Sequence, residues 1–378
     1  MSLASIFPQF ANAKSLPEDM RFNAHAHGST ISSCRKDLEE LGFCVIPQVL
    51  SDDEARTLYV RVWDEFIEKA WADCKMDHRG NWKNTFPIHN KRGMFAGPAG
   101  QLQVMWDIRQ DPRIVGIFAQ IWNTDDLIVS MDGMSFMCPP EIREGHIETW
   151  MHVDQSILCR QDGTRHSNNA PVNFISESSL QTQPYTIQGQ FLFEDSFEDD
   201  GGFYCIPKSH RRFAEFAPKL ARISAIRDGM ERTKARTEFF KKFFTENRDE
   251  LGNSYKMQHV KAPRGSLILW DSRTVHWNQH ANKNRSSDDS PKVRMVGYLC
   301  YVPKSRLTNE GRKLRKEAFE KGVATGHNPA RPELKYTKDH IWQEFNYYLE
   351  STEYVQPNIQ LTTLGKSLLG IDELEGCE

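Results

Sequence analysis

The spacing of hydrophobic residues changes along the chain and separates a helical front from a strand-rich middle. In the front, the apolar run GFCVIP at residues 42–47 predicts a short strand. The segment SDDEARTL that follows predicts a helix whose first turn holds a capping box formed by Ser51 and Glu54. A further helix is predicted to begin at Asp111 and Pro112, ahead of apolar residues at helical spacing. The front therefore predicts helices with one strand among them.

Beyond about residue 126 the apolar runs become short and are separated by Gly, Pro and Asp. They read TIQGQFLFED, GGFYCIP, GSLILWD and VRMVGYLCYVP. Several short strands behind a helical front predict an antiparallel barrel or jelly roll with helices packed outside it.

We expect one elaborated domain over residues 1–378. Two insertions interrupt its strands. The polar segment 160–186 predicts a flexible loop near the site, and the Arg- and Lys-rich segment 211–250 predicts either a solvated amphipathic helix pair over the barrel or an anion-binding lid. The parts of the domain are then an N-terminal helical support at 35–125, a β core at 126–303 and a C-terminal extension at 304–378.

Composition narrows the classes of partner. The 51 acidic and 48 basic residues give a net charge of -3, which excludes the overall positive field typical of nucleic-acid or anionic-membrane binding. The eight cysteines form no C-x-x-C pair, and no apolar run is long enough for a membrane span. We therefore expect an intracellular, cytoplasmic protein without a signal peptide.

A histidine and an acid two positions apart form the first candidate for chemistry. Oxygen-activating non-haem iron is held by two imidazoles and one carboxylate on one face, which leaves the opposite face open. On a strand, alternate residues project to the same side, so His152 and Asp154 in TWMHVDQS could supply two ligands. His146 and Glu148 form a rival pair in a charged, loop-like setting. A histidine and an acid at this spacing also occur by chance, so the pair indicates a metal site only if further ligands are found elsewhere in the chain.

Two later strands supply those partners. GSLILWDSRTVHWNQH reaches His276 after a turn, and VRMVGYLCYVP places Arg294 inside an apolar strand. An unpaired guanidinium is costly to bury, and its fork of donors suits one end of a dicarboxylate. His-x-Asp, a distant His and then an Arg is the layout of an iron(II) and 2-oxoglutarate site. Arg285, in the polar loop between the two strands, is a rival for the arginine role.

At this point the sequence resembles the phytanoyl-CoA dioxygenase family of iron(II)- and 2-oxoglutarate-dependent oxygenases. The resemblance extends through LEELGFCVIPQVLSDDEARTL, RQDPRIVGIFAQIWNTDDLIV, WMHVDQS, FEDDGGFYCIPKSHR and GSLILWDSRTVHWN, in the family's order, and ends near Pro303. It implies a mainly β fold with flanking helices and a double-stranded β-helix core, which is a cupin-like jelly roll. It also implies iron bound by His152, Asp154 and His276.

By the same resemblance Arg294 binds the distal carboxylate of 2-oxoglutarate, with Asn278 as a helper. The sequence departs from the family at three points. Val153 stands where the member that names the family has Gln, the interval from His276 to Arg294 is long, and the two insertions are larger than a minimal member needs. We expect the choice of substrate to depend on the insertions.

Other polar residues have less specific interpretations. Gln188 and Gln190 share one strand face and either bond the co-substrate or substrate, or are polar core positions. Trp150 either walls the pocket or simply packs, as large aromatic residues usually do. His210 is expected at a strand turn rather than in catalysis, and Arg273 is expected to pair with an acid.

The implied reaction is hydroxylation or desaturation of a small-molecule or acyl-type substrate with O₂, releasing succinate and CO₂, with ascorbate as an accessory reductant. An Asp154 ligand leaves no position for a halide, so halogenation is not expected. The basic insertion weakly favours an anionic substrate over a neutral one. The alternatives are a catalytically silent barrel that binds 2-oxoglutarate or metal as a sensor or scaffold, and a cupin-type metal enzyme without 2-oxoglutarate, which has no need of Arg294.

Overall fold

The structure, a computed structural model, describes residues 33–87, 93–95, 97–142, 149–155, 158–160, 172–174, 184–224, 229–282, 284, 292–332 and 358–371. Its helices are α1 (Cys34–Leu41), α2 (Asp52–Val62), α3 (Glu68–Ala70), α4 (Trp82–Thr85), α5 (Gln103–Arg109), α6 (Pro112–Trp122), α7 (Phe213–Ser224), α8 (Gly229–Glu246), α9 (Asn309–Glu320) and α10 (Thr363–Leu369). Its strands are β1 (Phe43–Ile46), β2 (Met94–Phe95), β3 (Leu127–Val129), β4 (Met134–Met137), β5 (Leu158–Arg160), β6 (Val172–Phe174), β7 (Ile187–Leu192), β8 (Gly202–Cys205), β9 (Gln258–Val260), β10 (Leu267–Asp271), β11 (His276–Gln279) and β12 (Arg294–Pro303). None of the helices in these ranges combines the length and the apolar character that a membrane crossing needs.

The strands form two main antiparallel sheets. The larger has the order β1-β10-β7-β12-β4-β2, with β3 also paired to β12, and the smaller has the order β11-β8-β9. Their inner faces share one buried apolar cluster, to which β8 contributes Phe203 and β10 contributes Trp270. A separate hairpin joins β5 and β6. Two packed antiparallel sheets with helices outside confirm the predicted mainly β, jelly-roll class, although the sheets do not close into a barrel.

The front of the chain forms the predicted elements. The Ser51 side chain and the Glu54 carboxylate complete the capping box of α2, and the Asp111 side chain caps α6 ahead of Pro112. The strand predicted in GFCVIP is confirmed as β1, and all four of its residues are buried. It pairs with β10 at the edge of the larger sheet. Its two faces are covered by different apolar clusters, one holding Cys44 and Ile46 and the other Phe43 and Val45.

The basic insertion folds into α7 and α8, the amphipathic helix pair that the sequence favoured. Phenylalanines on the inner faces of the two helices pack against Trp150 and Met151 on one side and Val275 and Trp277 on the other. The pair thus covers the chain segments next to two of the predicted metal ligands. Most of the other insertion, 160–186, lies outside the described residues.

Candidate metal centre

The structure brings the three predicted ligands together. The ligand atoms of His152, Asp154 and His276 all lie within 4.8 Å of one another. His152 Nε2 is 3.5 Å from one Asp154 oxygen, and His276 Nε2 is 3.2 Å from the other. The backbones of the two histidines pair in both directions, with N···O distances of 3.1 and 3.0 Å. The His152 segment therefore extends the smaller sheet beside β11, and this pairing holds the two imidazoles side by side.

Both imidazoles are held in the orientation that metal binding requires. His152 Nδ1 bonds the Trp150 carbonyl at 3.0 Å, and His276 Nδ1 bonds the Thr274 carbonyl at 2.9 Å. Because a carbonyl only accepts, each Nδ1 carries a hydrogen, and Nε2 is the nitrogen left to bind a metal once it has given up any proton it carries. Two oriented imidazole nitrogens and a carboxylate fit iron(II) and leave part of its coordination sphere open.

The third ligand is kept ionised by its surroundings. Burial by itself raises the pKa of the Asp154 carboxyl. Positive charge on the neighbouring imidazoles of His327, His276 and His152, when these are protonated and no metal is bound, outweighs burial and holds the pKa of Asp154 far below its usual range. Asp154 is also fixed through its backbone, because its N–H donates to the Ser272 carbonyl at 3.0 Å. The carboxylate is therefore charged and placed before any metal arrives.

Aromatic rings wall the centre. Trp150, for which the sequence left open a place in the pocket wall or simple packing, stacks on the His152 ring with centroids 4.1 Å apart. Phe203 and Trp270 lie 5.4 and 5.3 Å from the His276 ring. Such apolar walls keep water away from the two imidazoles and strengthen electrostatic interactions at the metal.

Arg294 is buried at the other end of the site among neutral partners. Its guanidinium donates to Ser135 Oγ at 3.0 Å, to Asn278 Oδ1 at 2.7 Å and to Gln190 Oε1 at 3.3 Å. Within the described residues no carboxylate pairs with it. Burial lowers its pKa, although the nearby Tyr298 opposes this. A buried cation is costly unless it is paired, so a guanidinium whose described partners are uncharged oxygens could pair with an anionic ligand.

The metal centre and Arg294 are joined by β11. His276 and Asn278 are alternate residues of this strand, so their side chains project to the same face about 7 Å apart. Asn278 Oδ1 accepts from Arg294, and Asn278 Nδ2 donates to the Tyr298 hydroxyl at 3.2 Å. The spacing suits a short dicarboxylate with one end at the metal and the other at the guanidinium.

The remaining predicted residues have different surroundings. Gln190 contacts Arg294, whereas the buried Gln188 Oε1 has no hydrogen-bond partner among the described residues. Arg273 pairs with Asp271 as expected, with Nε 2.9 Å from a carboxylate oxygen. His210 bonds the Glu39 carbonyl through Nε2 at 3.1 Å, which is a structural contact near the end of α1. The rivals Arg285, His146 and Glu148 lie outside the described residues.

The sequence reasoning missed Asp132 and His327. His327 Nδ1 bonds an Asp132 carboxylate oxygen, and His327 Nε2 lies 3.9 Å from Asp154. His327 follows α9, beyond the point where the family resemblance ends, and Asp132 lies in the β3–β4 turn. No spacing rule connects a turn acid to a histidine almost two hundred residues later, so only the folded structure pairs them.

Comparison with known proteins agrees with this geometry. A family model described as phytanoyl-CoA dioxygenase matches residues 38–292. A curated protein of Aspergillus versicolor, "Ava biosynthesis cluster protein O", is 24% identical over 79% of this chain and 86% of its own length.

Two solved structures are also similar. One is a non-heme alpha ketoglutarate dependent carbocyclase, SnoK from nogalamycin biosynthesis, at 17% identity and a TM-score of 0.42, covering 73% of this chain and 86% of that one. The other is HygX from Streptomyces hygroscopicus with nickel, 2-oxoglutarate and hygromycin B bound, at 14% identity and a TM-score of 0.41, covering 72% and 86%. The family assignment rests on the family model, whose match contains all three predicted metal ligands.

Proposed function

The chain belongs to the phytanoyl-CoA dioxygenase family of iron(II)- and 2-oxoglutarate-dependent oxygenases, and we propose on this premise that it hydroxylates or desaturates a small-molecule substrate with release of succinate and CO₂. His152, Asp154 and His276 hold the iron. Arg294 binds the distal carboxylate of 2-oxoglutarate, helped by Asn278 and Gln190.

One observation carries the proposal. An oriented pair of imidazoles and an ionised carboxylate converge, and the same strand that carries His276 leads through Asn278 to a buried guanidinium whose hydrogen-bond partners among the described residues are neutral. A metal enzyme that does not use 2-oxoglutarate has no need to bury that cation. The charge is costly to bury alone and becomes favourable when a dicarboxylate pairs with it.

Iron(II) with bound 2-oxoglutarate supplies oxygen activation coupled to decarboxylation of the co-substrate. The residues of this chain bind and orient. The Trp150 and Thr274 carbonyls keep both Nε2 atoms directed at the metal, and the aromatic walls exclude water. Arg294, held by Asn278, would bind one carboxylate of 2-oxoglutarate. Retention of Asp154 as a ligand supports hydroxylation or desaturation over halogenation.

The substrate is proposed to be a small molecule. The curated relative is named for a biosynthesis cluster, and this favours a small biosynthetic metabolite as the substrate. Two basic residues of the insertion, Arg211 and Arg212, pair with Glu250 and Glu215, so these two give no support to the preference for an anionic substrate. We place the substrate on the open side of the metal.

The test is succinate formation by the purified protein with iron(II), 2-oxoglutarate and a panel of metabolites under air. We expect succinate that depends on both additions and rises with at least one metabolite, and none with the His152→Ala variant. A sensor or scaffold would bind 2-oxoglutarate without forming succinate, and a cupin-type enzyme would ignore 2-oxoglutarate. Either result would overturn the proposal.

A further inference from the structure

Gln155, the residue after the proposed metal ligand Asp154, has a buried side chain that the proposed function does not use. Its backbone N–H donates to the Ser272 carbonyl at 2.8 Å, and the Asp154 N–H donates to the same carbonyl at 3.0 Å. A single oxygen thus accepts from two consecutive backbone groups of the ligand segment. The position of Asp154 therefore depends on where the Ser272 carbonyl lies.

Sheet pairing does not hold Asp154. The backbones of His152 and His276 form a bridge, but Asp154 follows His152 outside any strand. Among the residues that the structure describes, the backbone N–H of Asp154 is bonded only to the Ser272 carbonyl. The third ligand thus needs another device to fix its place, and the contacts of Ser272 supply it.

Gln155 and Ser272 are joined a second time through their side chains. The Ser272 hydroxyl donates to Gln155 Oε1 at 2.7 Å, and both residues are buried. One backbone bond and one side-chain bond between the same two residues fix their orientation as well as their distance. Such locking of the residues behind a ligand keeps the ligand in its productive geometry.

Ser272 is fixed from its other side by the chain that enters β7. The Ser272 N–H donates to the Thr186 carbonyl at 2.9 Å, and the Thr186 N–H donates to Ser272 Oγ at 3.1 Å. Gln155 Nε2 adds a bond to the Pro184 carbonyl at 3.3 Å. The network therefore joins the ligand segment, the turn after β10 and the residues ahead of β7.

The direction of every bond in this network is defined. The Pro184 carbonyl can only accept, so the amide nitrogen of Gln155 faces it and the amide oxygen faces Ser272. The Ser272 hydroxyl accepts from the Thr186 N–H, so its own hydrogen is directed at Gln155. Amide and hydroxyl groups do not change their charge near neutral pH, so these contacts are independent of protonation.

The network also reaches the other parts of the site. Ser272 lies in the turn that leads from β10 to His276 at the start of β11. The residues ahead of β7 lead to Gln190, which accepts from Arg294. Asp154 is thus held relative to both the second histidine and the strand beside the guanidinium.

We propose that Gln155 is a positioning residue that holds the Asp154 carboxylate at the metal through its contacts with Ser272. This inference rests on the proposed function and extends it to a residue outside the ligand set. Residues that orient metal ligands typically contribute about 10- to 100-fold to metal affinity. Gln155 contributes on that scale because the backbone of Asp154 has no strand pairing of its own.

The test measures iron(II) binding to Gln155→Met without oxygen, in competition with a chelator of known affinity, and unfolding of the metal-free protein in urea. Methionine fills a similar volume and makes none of the amide contacts. We expect the iron(II) affinity to fall at least about tenfold. The fall should exceed anything that the loss of stability by itself produces, which a matched glutamine measures.

Gln110→Met is that control. Gln110 and Gln155 are both 8% exposed. The Gln110 amide also joins two chain segments, since it donates to the Gln360 carbonyl at 3.2 Å and accepts from the Thr362 N–H at 2.8 Å. These contacts lie between the end of α5 and the residues ahead of α10. We expect Gln110→Met to lower the free energy of unfolding to a similar extent and to leave the iron(II) affinity unchanged.

Ser272→Ala tests the same network from its other side. It removes the hydroxyl and keeps the carbonyl that accepts from Asp154. The iron(II) affinity should fall again, and the double variant with Gln155→Met should lose less than the sum of the two single losses, because both substitutions break one network.

A folded Gln155→Met protein that binds iron(II) as tightly as the wild type would overturn the assignment, and so would an equal loss of affinity in Gln110→Met. If Gln155→Met does not fold, wild-type affinity in Ser272→Ala overturns it instead. Failure of the proposed function has a different signature, because the wild type would then bind iron(II) no more tightly than His152→Ala does.

Discussion

Arg294 shows most directly how one residue combines a cost to stability with a function. Its guanidinium is buried and is bonded to Ser135, Asn278 and Gln190, all of which are neutral. Such a charge contributes little to stability, and apolar replacements of buried ions are often neutral or stabilising. Its retention in an apolar strand is accounted for by a ligand that carries the opposite charge.

This leads to a prediction for Arg294→Met, which fills a similar volume without charge. We expect the affinity for 2-oxoglutarate to fall by at least about 30-fold, since truncating one partner of a buried charge pair costs about 2 to 5 kcal/mol. Iron(II) affinity should be unchanged. The free energy of unfolding without ligands, measured in urea, should equal or exceed that of the wild type. A large loss of stability with unchanged co-substrate binding would assign Arg294 a structural role.

At the residue scale, the sequence predicted what depends on short spacing. The spacing of two predicted that His152 and Asp154 would project to the same side, although in the structure only His152 forms a bridge and Asp154 follows it outside any strand. Arg294 stood out because an unpaired charge is costly to bury in an apolar strand. Asp132 and His327 carried no such signal. Each looks ordinary in its own segment, and their pairing is a property of the fold.

At the scale of elements, α8 supports the segment that carries His152. Thr237 of this helix donates its hydroxyl to the Thr149 carbonyl at 2.9 Å and accepts from the Met151 N–H at 3.2 Å. These bonds fix the backbone on either side of Trp150, whose carbonyl orients His152. The insertion is thus part of the scaffold of the metal centre, which the sequence did not indicate.

We therefore predict that Thr237→Val, which keeps the shape and removes the hydroxyl, weakens iron(II) binding. The Thr149 carbonyl and the Met151 N–H lose their hydrogen-bond partner. We expect a total cost of about 1 to 3 kcal/mol, of which one part lowers the free energy of unfolding and the other weakens iron(II) binding. Metal titration and urea unfolding measure the two parts. Thr245→Val in the same helix is the control, since Thr245 is exposed and bonds only the Lys241 carbonyl of its own helix. Equal effects of the two substitutions would refute the supporting role of Thr237.

The cap of α2 gives a prediction with a defined pH range. Arg113 donates to the Glu54 carboxylate, and the Ser51 backbone N–H adds to this, so the pKa of Glu54 falls from its ordinary value of 4.5 to about 2. A carboxyl whose pKa is lower in the folded state stabilises the fold above its unfolded pKa, and this contribution is lost as the pH falls toward the folded pKa.

Glu54→Gln should therefore lower the free energy of unfolding by about 1 kcal/mol near neutral pH. The difference from the wild type should shrink between pH 4.5 and about 2. Urea unfolding of both proteins across this range tests it. A difference that does not vary with pH would mean that the capping box acts through packing alone.

At the scale of the whole molecule, the fold class was predictable and the assembly of the sheets was not. The short apolar runs separated by Gly, Pro and Asp behind a helical front indicated a jelly roll with helices outside, and the family resemblance implied the same core. Whether β1 joins the larger sheet, and at which edge, depends on contacts between the helical front and β10, which no local pattern encodes.

The C-terminal extension is a second case. The buried Arg315 of α9 donates to the carbonyls of Leu368 and Leu369 in α10, and to the Val129 carbonyl in β3. The extension is therefore fastened to the core, and the segment between its two described helices begins with the residues that carry His327. Motif comparison ends before this part of the chain, so its contribution to the site had to come from the structure.

The site as a whole predicts how ligands change global stability. A ligand that binds only the folded state stabilises it by an amount that grows with the logarithm of its concentration, about 2.7 kcal/mol at one hundred times its dissociation constant. Without oxygen, we expect iron(II) to raise the unfolding midpoint of the wild type and 2-oxoglutarate to raise it further only when iron(II) is present. His152→Ala should lose both increments, because 2-oxoglutarate is expected to bind only after iron(II) is in place.

Arg294→Met separates the two increments, since it should keep the one due to iron(II) and lose the one due to 2-oxoglutarate. Thermal unfolding of the three proteins with each ligand alone and with both completes the comparison. Succinate, which carries the distal carboxylate but lacks the keto group, serves as the control ligand and should give a smaller increment than 2-oxoglutarate in the wild type. If 2-oxoglutarate raised the unfolding midpoint equally with and without iron(II), the dicarboxylate would bind away from the metal. Arg294 and the three metal ligands would then not form a single binding site.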